Sequence, residues 1–240
     1  MGRTKAAVAT GAICLAGLTL YLSVPRSIAS ALEFSTTPVI STLRQGRMTS
    51  LAAQDRLIVA KTRAAKWIDS GEQRLDSAFA IMVRRFSRAK KLDGKLSDKQ
   101  SFQPVERRVE AGLALSPVNA SGWRWLALAR MTHKDAAGAA MALRMSLYTG
   151  PHQPLLAVSR LRLLMNTWDQ FSKDERETIY RQIRFAWKHS QDGVTALALE
   201  SQSLWPYRLA LAARPRDLRN FEHELKRAKA EAVRKSKGRK

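Results

Sequence analysis

Apolar and polar positions alternate along this chain with helical periods almost throughout. An uncharged run occupies residues 6–24 and is 19 residues long. As a helix it would extend about 28 Å, close to the roughly 30 Å hydrocarbon core of a bilayer. Pro25 and Arg26 are expected to end it, and residues 32–49, with Ser, Thr, Gly46 and Pro38, read as a stalk. Beyond the stalk, Leu51, Leu57, Ile58, Ala65, Ile68, Leu75, Phe79, Met82 and Phe86 recur at three-, four- and seven-residue steps. That is the spacing of one helix face, with Gly71 a break between two helices. Residues 92–104 are polar and read as a loop. Val109, Leu113 and Leu115 belong to a helix closing at Ser116-Pro117. Ser121 is the expected N-cap of the next helix, which carries Trp123, Leu126, Ala127 and Arg130. After a break at Thr132-His133-Lys134-Asp135, a second helix carries Ala139, Leu143 and Leu147 and stops at Gly150-Pro151. Residues 154–168 and 173–189 predict a further pair, and 194–211 another helix interrupted by Pro206. From Asn220 a charged helix runs into a basic tail.

The expected fold class is all-α: an N-terminal single transmembrane helix followed by a stack of helical hairpins. The expected organisation is an anchor or signal segment at 1–31, a stalk at 32–49, a helical region and loop at 50–103, helical repeats at 104–212 and a basic C-terminal helix and tail at 213–240. Pro117 and Pro151 are 34 residues apart. With helix–turn–helix patterning inside it, that period belongs to repeats that must stack to bury their apolar faces. Here the chain resembles the tetratricopeptide family. Trp123, Leu126 and Ala127 match its first-helix positions, Ala139, Leu143 and Ser146 the small-large-small positions of its second helix, and Pro151 its terminal proline. The flanking units match less well. The resemblance implies a repeat core of Trp123, Leu126, Ala127, Ala139, Leu143, Ser146 and Pro151. It also implies a partner-binding groove lined by Arg124, Trp125, Leu128 and Met131, and one period later by Leu155, Val158, Arg162 and Met165. Packing of Trp125 against a neighbouring helix is the competing expectation.

A wider likeness rests on Pro117-x-Asn119, Trp123-Arg124-Trp125-Leu126-Ala127, the stretch 139–146, Thr149-Gly150-Pro151, Arg160-Leu161 and Trp168. Over residues 105–187 the chain resembles small anchored proteins of the VpsP-like polysaccharide biosynthesis family. What that resemblance implies is a role in making or exporting a surface polysaccharide.

Charge narrows the partners. Lys and Arg number 42 against 20 Asp and Glu, for a formal net charge of +22. Such a surface attracts polyanions. The basic tail, Lys226, Arg227, Lys229, Arg234, Lys235, Lys237, Arg239 and Lys240, is either a solubilising segment or a contact for anionic lipid or nucleic acid. Arg3 and Lys5 precede the apolar run, while Arg26 alone follows it closely. The positive-inside rule then gives a cytoplasmic N-terminus and a body outside, in a bacterium the periplasm. A retained inner-membrane anchor is the leading reading. A cleaved signal peptide, with Ala29-Ser30-Ala31 as its small-x-small site, would give the same address, and a soluble apolar helix is the third option.

Candidate chemistry is sparse. Cys14 is the one cysteine and lies inside the apolar run. His133, His152, His189 and His223 lack the spacing of metal ligands. No phosphate-binding glycine loop or G-x-S-x-G elbow occurs. Asp169, Asp174, Glu175 and Glu177 surround a helix start, and Ser172 with Glu175 reads as a capping box rather than an acid–base pair. Neither a catalytic residue nor a cofactor is expected. The leading functional expectation is a membrane-anchored adaptor for protein partners in a membrane assembly, with acidic polysaccharide a further candidate. The alternative is a basic membrane-associated protein that binds nucleic acid or anionic lipid through its tail, nucleic acid being the weaker candidate. An enzyme of glycan metabolism is the third class.

Overall fold

The computed structural model describes residues 2–44, 47–91, 102–201 and 203–237, with side chains over 10–44, 47–88, 102–201 and 203–234. Every regular element among them is helical: α1 (Gly2–Phe34), α2 (Thr37–Arg44), α3 (Leu51–Ala64), α4 (Gly71–Lys91), α5 (Gln103–Leu115), α6 (Ala120–Thr132), α7 (Ala136–Thr149), α8 (Pro154–Asn166), α9 (Lys173–His189), α10 (Gln191–Glu200), α11 (Trp205–Ala212) and α12 (Pro215–Lys237), plus a 3-10 turn at Trp168–Gln170. The chain divides into two compact units, Met1–Pro117 and Val118–Lys240.

In the first unit α1 does not stop at Pro25; the proline sits inside a helix that continues to Phe34. An internal proline forfeits one backbone bond, a cost that apolar spanning helices absorb locally. Residues Thr10–Phe34 are long and apolar enough to cross a membrane. Ile13, Leu15, Leu18, Leu20, Tyr21 and Leu22 all stand uncovered by protein. The segment could be a membrane span or a signal sequence.

Much of the expected stalk is folded helix: residues 32–34 end α1 and residues 37–44 form α2. Pro38 lies in the first turn of α2, where a missing N–H is harmless. Ala29, Thr36, Ile40 and Leu43 are buried, and α1 and α2 both pack on α3. The expected break at Gly71 is present, as the first residue of α4. A Cβ on Gly71 would stand 2.7 Å from the Gly112 carbonyl oxygen, and one on Gly112 would stand 2.8 Å from Leu75 Cγ. The bare backbones are what let α4 and α5 approach. Most of the expected loop, residues 92–101, lies outside the described residues.

In the second unit the cap of α6 is Asn119, not Ser121: its Oδ1 accepts from the Gly122 N–H at 2.8 Å. Asn caps as well as Ser does. Asp135 caps α7 in the same way through the Gly138 N–H, and Lys134, at φ 63°, turns the chain into it. The Ser146 hydroxyl donates to the Ala120 carbonyl at 2.8 Å, joining the end of α7 to the start of α6. The two helices therefore form an antiparallel hairpin. The helical stretch expected at 194–211 is divided between α10, which ends at Glu200, and α11, which begins at Trp205; Pro206 opens α11 rather than interrupting it. Neighbours follow a regular order. α6 pairs with α7; α8 rests on both and pairs with α9; α10 rests on α8 and α9; α11 rests on α9; α12 rests on α10 and α11. α6 and α8 begin 34 residues apart, at Ala120 and Pro154. The core of this unit holds Leu126, Leu143, Leu161, Leu164, Ile179, Trp187, Tyr207 and Phe221.

Candidate functional site

Of the expected repeat core, Leu126, Ala127, Ala139, Leu143 and Ser146 are buried. Trp123 is half-buried and Pro151 is exposed, so neither serves as a core residue. Pro151 acts through its carbonyl, which accepts from Gln182 Nε2 at 3.1 Å. Of the expected groove, Trp125 is withdrawn: it is 4% exposed. Residues two apart on a helix face nearly opposite ways, and the buried face of α6 is the one holding Gly122, Trp125, Leu126 and Ala129. Leu128, Met131, Val158 and Met165 are half-buried, and Arg162 is exposed. Arg162 is not a free cation, for its Nη1 lies 2.8 Å from Glu200 Oε2 of α10. The most open apolar side chain on this stretch is Leu155, 82% exposed. What remains of the groove is a mixed apolar and charged surface on α8, with Leu155 and Arg162 open to solvent.

Arg124 is half-buried, and α8 carries a second enclosed cation that is not among the expected site residues. Arg160 of α8 has no exposed surface at all. Its Nη1 reaches Gln182 Oε1 at 3.4 Å, while its Nε and Nη2 have no acceptor, and Arg124 Nε has none either. Burial pulls both guanidinium pKa values down to about 10, and the charge of Arg160 adds to the fall at Arg124. The signal was present: Arg160 interrupts the apolar face made by Leu156, Ala157, Leu161 and Leu164.

The acidic cluster is structural. Ser172 and Glu175 form the expected capping box, and Arg144 of α7 binds the Glu175 carboxylate and also the Gln170 carbonyl at 2.8 Å. The guanidinium, then the Ser172 N–H, hold the Glu175 carboxyl well below its usual range, at about 2. A depressed folded-state value stabilises above the unfolded value of about 4.3 and is lost as pH falls toward about 2. The pair is more than a third exposed, so screening limits the effect to about 1 kcal/mol. In Glu175→Gln, thermal midpoints measured between about pH 6 and about pH 3 are expected to fall less steeply than in the wild type.

Among the described residues no group of three or more His, Cys, Asp and Glu is arranged to hold a metal. His189 and His152 pack on Phe185, and His223 lies beside Glu224. Trp168, Tyr180 and Trp205 form an aromatic cluster with centroids 5.9–6.5 Å apart, Trp205 meeting the other two edge-on. In the first unit a cavity of about 430 Å³ is lined by Thr62, Arg74, Ser77, Arg107 and Arg108. Two of its arginines are already engaged, Arg74 by Asp69 and Arg108 by Ser77.

The basic tail is helical further than expected, through Lys237. Lys226, Arg227, Lys229 and Arg234 are exposed, and Arg227 lies 2.7 Å from Glu224. The side chains of Lys235 and Lys237, and all of Arg239 and Lys240, lie outside the described residues. On its inner face α12 buries Phe221 and Leu225, so its first half is part of the fold. No protein-family model matches the chain, and no curated protein shows significant similarity to it.

Proposed function

We propose that this chain is a membrane-anchored adaptor: α1 is retained as a single inner-membrane span, and a tetratricopeptide-like stack of hairpins holds a partner protein beside the membrane. The observation that carries this reading is the neighbour order of α6 to α12, in which α8, α10 and α12 each lean on the pair of helices before them. Stacks of that kind leave an extended face free for binding. Tethering raises effective concentration, so modest contacts suffice. The chain itself catalyses nothing in this reading. The body is assigned to the periplasm from the charges flanking α1, and surface polysaccharide biosynthesis or export is proposed as the setting from the likeness over residues 105–187. Acidic polysaccharide and anionic lipid are secondary partners suited to the basic face of α12.

Leu155 and Arg162 are the residues to test, because both are exposed and neither supports the core. Leu155→Asp with Arg162→Gln is expected to abolish recovery of the partner by in-cell crosslinking and pull-down while leaving the unfolding free energy within about 1 kcal/mol of wild type, since one exposed ion pair is all the fold loses. Unchanged recovery removes this face from the proposal. A C-terminal alkaline phosphatase fusion reads the address in the same strain: activity supports a periplasmic body, and its absence overturns that assignment.

A further inference from the structure

Two cations stand at the contact of α6 with α8 and have no carboxylate between them. Arg160 is fully enclosed, and its charge acts on Arg124 across the packed contact of α6 with α8. Among the described residues neither makes an ion pair. Arg160 donates one long bond, to Gln182 Oε1 at 3.4 Å. Three of their N–H groups are buried with nothing to accept them: Arg124 Nε, Arg160 Nε and Arg160 Nη2.

Burying a cation without a counter-charge costs several kcal/mol, and placing a second cation beside it costs more. Elsewhere in the same unit arginines are neutralised: Arg144 by Glu175, Arg184 by Glu177 and Arg208 by Glu222. Water alone would supply acceptors but no charge. A carboxylate would supply one negative charge against two positive ones. A phosphate group carries between about −1.5 and −2 near pH 7 and offers three acceptor oxygens. Guanidinium groups suit such oxygens because their N–H groups are fixed in a planar fork.

We propose that Arg124 and Arg160 form a binding site for a dianionic phosphate group, with Gln182 orienting the Arg160 guanidinium. The site is distinct from the partner-binding face of α8: Arg160 and Arg162 point to different sides of that helix, one enclosed and one exposed. Its existence does not depend on the adaptor reading. The phosphate belongs either to the free inorganic ion or to a small phosphomonoester, and both use the same two guanidinium groups.

The test uses the full chain purified in detergent and dialysed free of phosphate. Binding of labelled inorganic phosphate is measured by equilibrium dialysis in chloride buffer of constant ionic strength, with glycerol phosphate and acetate as competitors. One saturable equivalent is expected. Displacement by glycerol phosphate at lower concentration than by inorganic phosphate assigns the site to a phosphomonoester, and the reverse assigns it to the free ion. Displacement by acetate at concentrations as low as either phosphate overturns the dianion. Arg124→Met is expected to weaken phosphate binding about tenfold to a hundredfold, the worth of one lost charge-assisted bond. Without phosphate the same variant is expected to melt higher than wild type, because one of two facing charges is gone. Arg160→Met serves as the second variant. Absence of saturable binding by wild type, or binding unaltered in a folded Arg124→Met protein, overturns the proposal.

Discussion

Replacing Trp187 by alanine is expected to cost the second unit about 3–5 kcal/mol, the range for deleting a large buried aromatic. Trp187 sits near the end of α9 and is 1% exposed. Its ring meets Phe221 of α12 edge-on at 5.6 Å, and Phe221 in turn stacks on Tyr207 of α11 at 6.1 Å. Phe221 thus links α9, α11 and α12, and Trp187 is its partner on α9. The indole Nε1 has no acceptor, so the ring is held by packing alone, and its removal opens a cavity without freeing a polar partner. Urea unfolding of the full chain should show a lower midpoint with an unchanged slope. Hydrogen exchange should place the loss of protection first in the amides of α12, because Phe221 is what seats that helix. Trp205→Ala is the internal comparison. Trp205 is 56% exposed and touches Trp168 and Tyr180 only by ring contacts, each worth about 0.5–1.5 kcal/mol. If the two variants lose equal stability, α12 is an appendage and the packing described for it is wrong.

The elements most legible in the sequence were those ended by local chemistry. Gly71, Ser116-Pro117, Gly150-Pro151 and the Ser172–Glu175 box each stop or start a helix through backbone freedom, a missing donor or a side-chain cap, and none needs a distant residue to act. Three other prolines misled. Pro38 and Pro206 open helices instead of breaking them, since the first turn has no use for their absent N–H. Pro25 lies within α1 because so long an apolar helix outlasts one missing bond. The groove was less legible for a different reason. Trp123 and Trp125 point to opposite sides of α6, and periodicity names two faces without saying which one the neighbouring helices will cover. Tertiary packing chose Trp125. Arg160 was hidden in the same way: a lone arginine in an apolar stripe looks like an outward-curling surface residue until the helices on every side are in place. The regular spacing also fades along the chain. α6 and α8 start 34 residues apart, but α10 has only 10 residues, too few to carry a repeat signature beyond its apolar stripe.

The second large effect is expected in the first unit, at Lys61. Its ammonium lies 2.8 Å from Glu33 Oε2 and 3.0 Å from Asp76 Oδ2, and Gln73 Oε1 is 3.4 Å away. Lys61 and Asp76 are buried. Arg44 binds the other oxygen of Asp76, so two cations balance two carboxylates drawn from α1, α2, α3 and α4. Glu33 Oε1 has no hydrogen-bond partner, which leaves Lys61 as the one cation within ion-pair distance of that carboxylate among the described residues. Lys61→Ala removes the common cation and strands Glu33 entirely. Breaking a buried pair from one side costs about 3–5 kcal/mol, more than the pair contributes when whole. Arg44→Ala should cost about 1 kcal/mol or less, because that arginine is largely solvated. The decisive comparison replaces Lys61 and both of its carboxylate partners together. Lys61→Met with Glu33→Gln and Asp76→Asn leaves only the largely solvated Arg44 without its partner and should recover most of the stability lost in Lys61→Ala. Because Glu33 lies at the end of α1, the same loss should free that helix from the body. A disulfide introduced between facing positions of α1 and α3 is expected to form more slowly in Lys61→Ala than in the triple variant. Equal stability of Lys61→Ala and Arg44→Ala would show that the network does not clamp the apolar helix to the first unit.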